Sequence, residues 1–210
     1  MTTVLVTGGS GFIASHCIVE LLKKNYNVRV TLRNKSRIEY VRGMIKAGGV
    51  TDLSKLSFHI ADLNSDDGWK EALDSVSYVM HIASPFPSGQ VRDKEKVITT
   101  ASQGTLRVLK FSESARVKRV ILTSSFGAIG YGHPRSKLSY SENDWSDTKN
   151  TALSPYIKSK TMAEKLAWEY IRTSESALEL SVINPVGVFG PTLGSRLSSS
   201  LTLIQMMLEG

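Results

Sequence analysis

The 210-residue chain has a single cysteine, Cys17, so it cannot form an internal disulfide bond. Disulfides persist mainly in oxidising compartments, and a cysteine-poor chain is typical of the reducing cytoplasm. The sequence also lacks an apolar run of the roughly 20 residues that a membrane-spanning helix needs. The first strand-like run starts at Val4, which leaves no room for a signal peptide before it. These absences predict a cytoplasmic protein without membrane association.

The sequence lacks the interleaved basic and aromatic residues that stack nucleic-acid bases, although its formal net charge is +7. Residues 1–56 hold nine lysines and arginines against three acids, so most of the excess lies near the start of the chain. His133 has no carboxylate or thiol at the spacing of a metal site. We therefore expect neither a nucleic-acid partner nor a bound metal.

The most informative feature present is a glycine-rich turn between an apolar run and an amphipathic run. Val4–Val6 is typical of a buried strand, and the residues from Phe12 onward have helical spacing. Between them, Gly8 can make a sharp turn and Gly11 lets the backbone approach a pyrophosphate, while Ala14 allows close helix–strand packing. This pattern predicts a dinucleotide site, the alternative being a tight turn with a purely structural role.

The end of the next strand-like run indicates which dinucleotide is bound. Asn27–Leu32 alternates as a strand does and ends at Arg33, with Arg37 close behind. An NAD-binding unit usually places an acid about 20 residues beyond the glycines, where it binds the ribose 2′-hydroxyl. A carboxylate would repel a 2′-phosphate, whereas a guanidinium can bind it with two hydrogen bonds. The sequence therefore favours NADPH, although a solvated basic loop would look the same.

The rest of the chain alternates between strand-like and helix-like segments. We predict further strands over Leu56–Ala61, Val76–Ala83, Val117–Ser125 and Leu178–Asn184, with helices over Arg37–Ala47, Trp69–Leu73, Lys94–Ala115 and Tyr156–Arg172. Residues 130–154 form a polar insertion. The alternation indicates an α/β fold, a doubly wound parallel sheet with helices on both faces. Ligands of such sheets bind beyond the carboxyl ends of the strands.

Three polar residues at that edge are candidates for acid–base chemistry. Tyr156 and Lys160 lie four residues apart on a predicted helix, so they share a face, and no other Tyr-x-x-x-Lys pair occurs in the chain. A nearby ammonium favours the phenolate of a tyrosine, so Tyr156 could pass a proton to a carbonyl oxygen. Ser125, at the end of the fifth strand, could hold that oxygen. The alternatives are an aromatic anchor, a solvated lysine and a local backbone hydrogen bond of the serine.

Together these motifs resemble those of the extended short-chain dehydrogenases/reductases. The resemblance rests on Thr7-Gly8-x-x-Gly11-Phe12-Ile13-Ala14, Asp62-Leu63, the serine that ends the fifth strand, and Tyr156-x-x-x-Lys160. Three stretches are similar to the dihydroflavonol reductase group, which includes cinnamoyl-CoA, aldehyde and methylglyoxal reductases: His81-Ile82-Ala83-Ser84-Pro85-Phe86, Glu142-Asn143-Asp144-Trp145-Ser146 and Asn184-Pro185-Val186-Gly187-Val188-Phe189-Gly190-Pro191.

The resemblance implies an NADPH-dependent carbonyl reductase that acts on a small aldehyde or ketone, as a monomer or homodimer. It implies that Ser125, Tyr156 and Lys160 are catalytic and that Tyr156 and Lys160 also contact the cofactor, Lys160 at the nicotinamide ribose. Its other implied cofactor contacts are Gly8, Gly11, Phe12 and Ile13 at the pyrophosphate, Arg33 and Arg37 at the 2′-phosphate, Asp62 and Leu63 at the adenine, Ala83 and Pro85 at the middle, and Pro185 and Val188 at the nicotinamide.

The chain departs from this family in substrate signature and in length. The segment Leu153–Lys160 lacks the Asn-Trp-Tyr-Cys-Tyr signature of plant cinnamoyl-CoA reductases, which argues against a thioester substrate. Family members continue beyond the sixth strand into a smaller domain that forms much of the substrate pocket. We therefore expect residues 1–191 to form the NADP-binding domain with the catalytic residues, and residues 192–210 to begin a substrate domain that is mostly absent.

Two other functions remain open. Nucleotide-sugar epimerases and dehydratases share the tyrosine–lysine pair, but they usually keep NAD bound and favour an acid where this chain has Arg33. A non-catalytic NADP(H)-binding module is the other possibility, since an incomplete substrate pocket can bind cofactor without turnover. Such a module would have no need of the combination of Ser125, Tyr156 and Lys160.

Overall fold

A computed structural model describes residues 1–85 and 93–209, so Phe86 of the fourth-strand motif lies outside the described residues. In this part of the chain, six parallel strands form one sheet: β1 (Thr3–Val6), β2 (Asn27–Leu32), β3 (Leu56–Ile60), β4 (Tyr78–His81), β5 (Arg119–Thr123) and β6 (Glu179–Ile183). The α-helices are α1 (Phe12–Lys23), α2 (Ile38–Ala47), α3 (Trp69–Leu73), α4 (Lys94–Ser114), α5 (Pro155–Thr173) and α6 (Ser199–Glu209). The strand order β3-β2-β1-β4-β5-β6 is that of a doubly wound Rossmann sheet, which confirms the predicted fold class.

Successive residues of each strand pack into separate cores on the two faces of the sheet. On β1, Leu5 packs with residues of α3, α4 and α5, whereas Val6 packs with residues of α1 and α2. Both side chains are fully buried. Because both faces are covered, the strands are almost continuously apolar, as expected for a parallel sheet.

The chain reverses its direction of winding between β1 and its two neighbours. From β1 it crosses through α1 to β2 on one side, and it later returns through α3 to β4 on the other side. Loops that leave β1 and β4 therefore diverge and open a crevice at the carboxyl ends of these strands. The functional site is expected in this crevice.

Six elements are shorter than the sequence predicts: β3, β4, β5, β6, α2 and α4, with β5 observed over Arg119–Thr123 where Val117–Ser125 was predicted. Local hydrogen bonding accounts for the shortening of β4 and α2. The strand predicted over Val76–Ala83 is observed as β4, Tyr78–His81, because the N–H groups of Ile82 and Ala83 donate to Thr7 Oγ1 instead of a neighbouring strand. The helix predicted from Arg37 begins at Ile38, after a 3-10 turn over Lys35–Arg37.

Gly68, which precedes α3, adopts a left-handed conformation that we expect to be essential for stability. Its φ is +78°, and a Cβ atom there would lie 2.0 Å from the carbonyl oxygen of Ile60. Gly68→Ala is therefore expected to lower the free energy of unfolding by about 2–4 kcal/mol, from backbone strain plus displacement of β3. Denaturant unfolding measures this change.

The matched control is the same substitution at Gly43, in the middle of α2. A Cβ atom at Gly43 would meet nothing within 4 Å. Alanine has the higher helix propensity, so Gly43→Ala is expected to raise the free energy of unfolding by about 0.5–1 kcal/mol. Equal effects of the two substitutions would contradict the left-handed conformation at Gly68.

The last helix exposes apolar side chains. Leu203, Met206, Met207 and Leu208 of α6 are each more than half exposed. In the described part of the chain, no helix combines the length and the apolarity that crossing a bilayer requires. The assignment of residues 192–210 to the start of a second domain stays a prediction.

Candidate active site

A cleft of about 720 Å³ lies at the carboxyl ends of the strands, where the crevice was expected. All predicted site residues except Arg37 line it: Gly8, Gly11, Phe12, Ile13, Arg33, Asp62, Leu63, Ala83, Pro85, Ser125, Tyr156, Lys160, Pro185 and Val188. These residues come from loops that follow all six strands, from the first turn of α1 and from the first two turns of α5. The fold therefore brings together residues that are up to 180 positions apart in the chain.

The glycine turn is shaped to hold a pyrophosphate. Gly8 has a φ of +70°, and a Cβ atom on it would lie 3.0 Å from Ala83 Cα, so the turn after β1 and the loop after β4 are in close contact. Gly11 is the N-cap of α1 and supplies no side chain to the free N–H groups of the first helical turn. These N–H groups and the helix dipole favour an anion. The residues present thus fit the diphosphate of a dinucleotide.

The two predicted 2′-phosphate ligands lie in different places. Arg33 follows β2 directly, is exposed, and lines the cleft. Arg37 lies outside the cleft lining, and its guanidinium carbon stands 5.6 Å from the centre of the Tyr40 ring. A phosphate at the end of β2 would therefore meet Arg33 first.

Trp69 shapes the part of the cleft next to Asp62 and Leu63, and sequence analysis did not assign it to the site. Its ring is buried, and its indole N–H donates to the carbonyl oxygens of Asp62 (2.9 Å) and Ser65 (3.0 Å). A Cβ atom at Gly104 of α4 would lie 2.8 Å from the Leu63 Cβ, so α4 also packs directly on this loop. The Asp62–Leu63 loop is therefore held by the Trp69 indole and by α4.

A buried hydrogen bond between Thr7 and His81 joins the ends of β1 and β4 beneath the cleft. Thr7 Oγ1 accepts from the N–H groups of Ile82 and Ala83, so its own proton is directed to His81 Nδ1 at 2.9 Å. Nδ1 then has to be unprotonated, which places the ring proton on Nε2. Burial, with a smaller effect from the Lys160 ammonium, lowers the pKa of His81 to about 3. His81 is therefore a packed structural residue that joins β1 and β4.

The neutral state of His81 predicts a specific loss of stability in acid. The pKa of His81 is lower in the folded state than the ordinary value of 6.5, so the unfolded chain binds more protons and stability falls as pH decreases from 6.5 toward 3. Between pH 6.5 and 5 this group is expected to remove roughly 1.5–2 kcal/mol. The measurement is denaturant unfolding at both pH values, for the wild type and for His81→Asn.

In His81→Asn, the side-chain oxygen can still accept from Thr7 but does not titrate in this range. The variant is expected to be less stable at pH 7 and to lose less stability between pH 6.5 and 5. His59→Asn serves as the comparison: burial also lowers the pKa of His59, but this side chain is only partly buried, so the variant is expected to keep more of the wild-type acid dependence than His81→Asn does. An identical acid dependence of wild type and His81→Asn would show that His81 is not held neutral.

The three predicted catalytic residues meet where β5 ends and α5 begins. Ser154 caps α5 by accepting from the Ile157 N–H (3.3 Å), and Pro155 suits its first position, so Tyr156 lies in the first turn at the cleft. Ser125 Oγ accepts from the Gly127 N–H at 3.0 Å, which leaves its own proton available to a ligand. Lys160 is one turn beyond Tyr156 on the same face.

Lys160 is a buried amine held by backbone. Its side chain is 7% exposed, and Nζ donates to the Thr123 carbonyl oxygen at 3.0 Å. Burial lowers the pKa of Lys160 to about 8, although the Glu164 carboxylate acts in the opposite direction. Lys160 therefore carries its charge at neutral pH, beside Tyr156 and at the edge of the cleft.

Several lining residues were not identified from the sequence. They include Ser10, Thr31, Asn64, Val97, Thr100, Arg196, Ser198 and Ser200. Most are small or polar residues without a distinctive spacing. Glu164 is buried behind the lining and was also missed. Its position four residues after Lys160, on the same helix face, was the sequence feature that could have revealed it.

The comparisons with known proteins agree with this geometry. The profile of the NAD dependent epimerase/dehydratase family matches residues 4–210. Dihydroflavonol 4-reductase of Hordeum vulgare is 32% identical over 214 residues, covering 99% of this chain and 59% of that protein. Cinnamoyl-CoA reductase CAD2 of Medicago truncatula is 34% identical, covering 99% of this chain and 64% of that protein. The chain thus spans about three fifths of the length of these relatives.

A solved structure shows the same fold. The crystal structure of yeast methylglyoxal/isovaleraldehyde reductase Gre2 complexed with NADPH superposes with a TM-score of 0.85 at 28% identity. The match covers 99% of this chain and 66% of that one. The likeness therefore extends over the whole sheet and over every strand end that lines the cleft.

Proposed function

The chain belongs to the NAD dependent epimerase/dehydratase family, among the extended short-chain dehydrogenases/reductases, and we propose that it is an NADPH-dependent carbonyl reductase. One observation carries the proposal: Ser125, Tyr156 and Lys160 line the same cleft as the glycine turn and Arg33. A cofactor held by the glycine turn would extend along this cleft toward the three residues. The reduced substrate would be an aldehyde or a ketone.

NADPH is the cofactor that the residues favour. Arg33, at the end of β2, offers a guanidinium to a 2′-phosphate, and the first turn of α1 offers N–H groups to the diphosphate. The yeast reductase of similar fold is complexed with NADPH. When bound, the nicotinamide supplies a hydride to the substrate.

The residues of the chain bind the carbonyl oxygen and supply its proton. The Ser125 hydroxyl donates a hydrogen bond to that oxygen, where negative charge develops. The Tyr156 hydroxyl transfers its proton to the oxygen, so the carbonyl carbon gains the hydride and the oxygen gains the proton of the alcohol. The Lys160 ammonium stabilises the phenolate that remains. Water later returns a proton to Tyr156.

The proposal is tested by NADPH consumption with the purified chain and a panel of aldehydes, ketones and one CoA thioester. Turnover with aldehydes or ketones, absent with the thioester, is the expected result and agrees with the missing thioester-reductase signature. Turnover with the thioester alone would replace the proposed substrate class. NADPH binding without any turnover would instead support the non-catalytic module.

The family description and the tyrosine–lysine pair also suit an epimerase or dehydratase, which is the second candidate. Such enzymes usually retain NAD, and an acid at the end of β2 would suit that cofactor better than Arg33 does. Absorbance and mass analysis of the cofactor released from purified protein distinguish the two. Retained NAD would favour the second candidate.

A further inference from the structure

Glu164 on α5 is a buried carboxylate that the proposed mechanism does not use. It is 3% exposed. Its Oε2 atom accepts hydrogen bonds from the Ser124 hydroxyl and from Asn184 Nδ2, the latter at 2.8 Å. A buried carboxylate without partners is costly, so these bonds are needed to hold it there.

These contacts join three of the elements that line the cleft: α5 and the ends of β5 and β6. Ser124 immediately precedes Ser125 after β5, and Asn184 immediately follows β6. Asn184 Nδ2 also donates to the carbonyl oxygen of Ser125 at 3.1 Å. Glu164 thus restrains the Ser125 backbone in two ways. It binds the side chain of the adjacent Ser124, and it binds Asn184, which in turn binds the Ser125 carbonyl oxygen.

Glu164 is also the acidic neighbour of Lys160. The two residues lie four apart on α5, where side chains meet, and the Glu164 carboxylate favours the charged form of Lys160. The other titratable neighbours are Tyr156 on the same helix and His81 from β4, which burial keeps neutral. Glu113 of α4 is not a neighbour of Lys160. It interacts with Tyr170, which lies about 15 Å beyond Lys160 along α5.

We propose that Glu164 is a positioning residue of this active site: its carboxylate fastens the ends of β5 and β6 to α5 and supplies the counter-charge of the Lys160 ammonium. It touches neither substrate nor cofactor and acts through Ser125 and Lys160. The catalytic consequence rests on the proposed function, whereas the effect on Lys160 does not.

The first test measures the ionisation of Lys160 directly and needs no turnover. In protein labelled with ¹³C at lysine Cε, the Lys160 signal is assigned with Lys160→Arg and followed against pH. Glu164→Gln keeps an oxygen that accepts from Ser124 or Asn184 but removes the charge. We expect its Lys160 titration midpoint to fall by about one pH unit or more. The control is Glu169→Gln, an exposed carboxylate of α5 paired with Arg172, which is expected to leave the midpoint unchanged.

An unchanged Lys160 titration midpoint in Glu164→Gln would show that Glu164 does not supply the counter-charge of Lys160. Glu164→Asp provides the test if the glutamine variant does not fold, because it shortens the side chain but keeps the charge. Its midpoint is expected to stay close to that of the wild type. A midpoint in Glu164→Asp as low as that expected for the neutral glutamine would contradict the proposal.

The second test separates positioning from general stability by kinetics. Both Glu164 variants are expected to lower kcat about tenfold with NADPH affinity changed less than about twofold, and the alkaline fall in activity of Glu164→Gln should begin at lower pH. A loss of NADPH affinity in parallel with kcat would indicate a purely structural role. If the wild type lacks turnover, the reductase function fails, while the Lys160 titration still decides the role of Glu164.

Discussion

Replacing Tyr156 with phenylalanine is expected to slow carbonyl reduction by roughly 10²- to 10⁴-fold, the usual contribution of a general acid. The substitution removes only the hydroxyl, and the ring keeps its place in the first turn of α5 beside the cleft. NADPH affinity is expected to change little, because the glycine turn and Arg33 are untouched. Steady-state kinetics and NADPH fluorescence titration measure the two effects separately.

The control is the same substitution at Tyr170, near the other end of α5. The Tyr170 hydroxyl interacts with Glu113 of α4, and burial raises the pKa of Tyr170, so this phenol is a structural group. Tyr170→Phe is expected to lower stability slightly and to leave kcat unchanged. Full activity of Tyr156→Phe would exclude Tyr156 as the proton donor.

Arg33 is expected to have the second large effect, on the choice between NADPH and NADH. A charge-assisted bond between a guanidinium and a phosphate contributes about 1.5–3 kcal/mol, so Arg33→Ala should weaken NADPH binding roughly 10- to 100-fold. NADH lacks the 2′-phosphate, and its affinity should change by less than about threefold. Calorimetric titration with each cofactor measures both values.

Arg37→Ala provides the comparison at the other predicted 2′-phosphate ligand. The Arg37 guanidinium lies over the Tyr40 ring and outside the cleft lining. We expect this variant to lose less NADPH affinity than Arg33→Ala. An equal loss in both variants would mean that the Arg37 side chain leaves the Tyr40 ring when NADPH binds. No loss in either variant would show that the basic loop is merely solvated.

The sequence alone was sufficient for the order of strands and helices and for about half of the residues that line the cleft. Parallel sheets covered on both faces need almost continuously apolar strands, and these runs are visible without a structure. Once the segments alternate, every strand must end at the same edge, so Arg33, Asp62 and Ser125 were expected to lie along that edge. Glycines at turns are equally legible, because few other residues can occupy those conformations.

Residues that act through a neighbour were not visible in this way. Trp69 looked like an ordinary core residue of a short helix, and only its position shows the indole N–H holding the Asp62 carbonyl oxygen. The Thr7–His81 bond joins residues 74 positions apart, and neither residue type is unusual in a strand. Such pairings depend on the register of two strands, which spacing along the chain does not specify.

The sequence by itself determined the fold class, the glycine turn and the candidate catalytic residues, since these depend on local periodicity and on residue type at strand ends. Only the tertiary structure decided that Arg33 lines the cleft while Arg37 lies over Tyr40. It also decided that Glu164 is buried against Ser124 and Asn184. The reason is physical: burial and hydrogen bonding between distant segments arise from packing in three dimensions, which determines whether a charged side chain meets solvent, a ligand or another buried group.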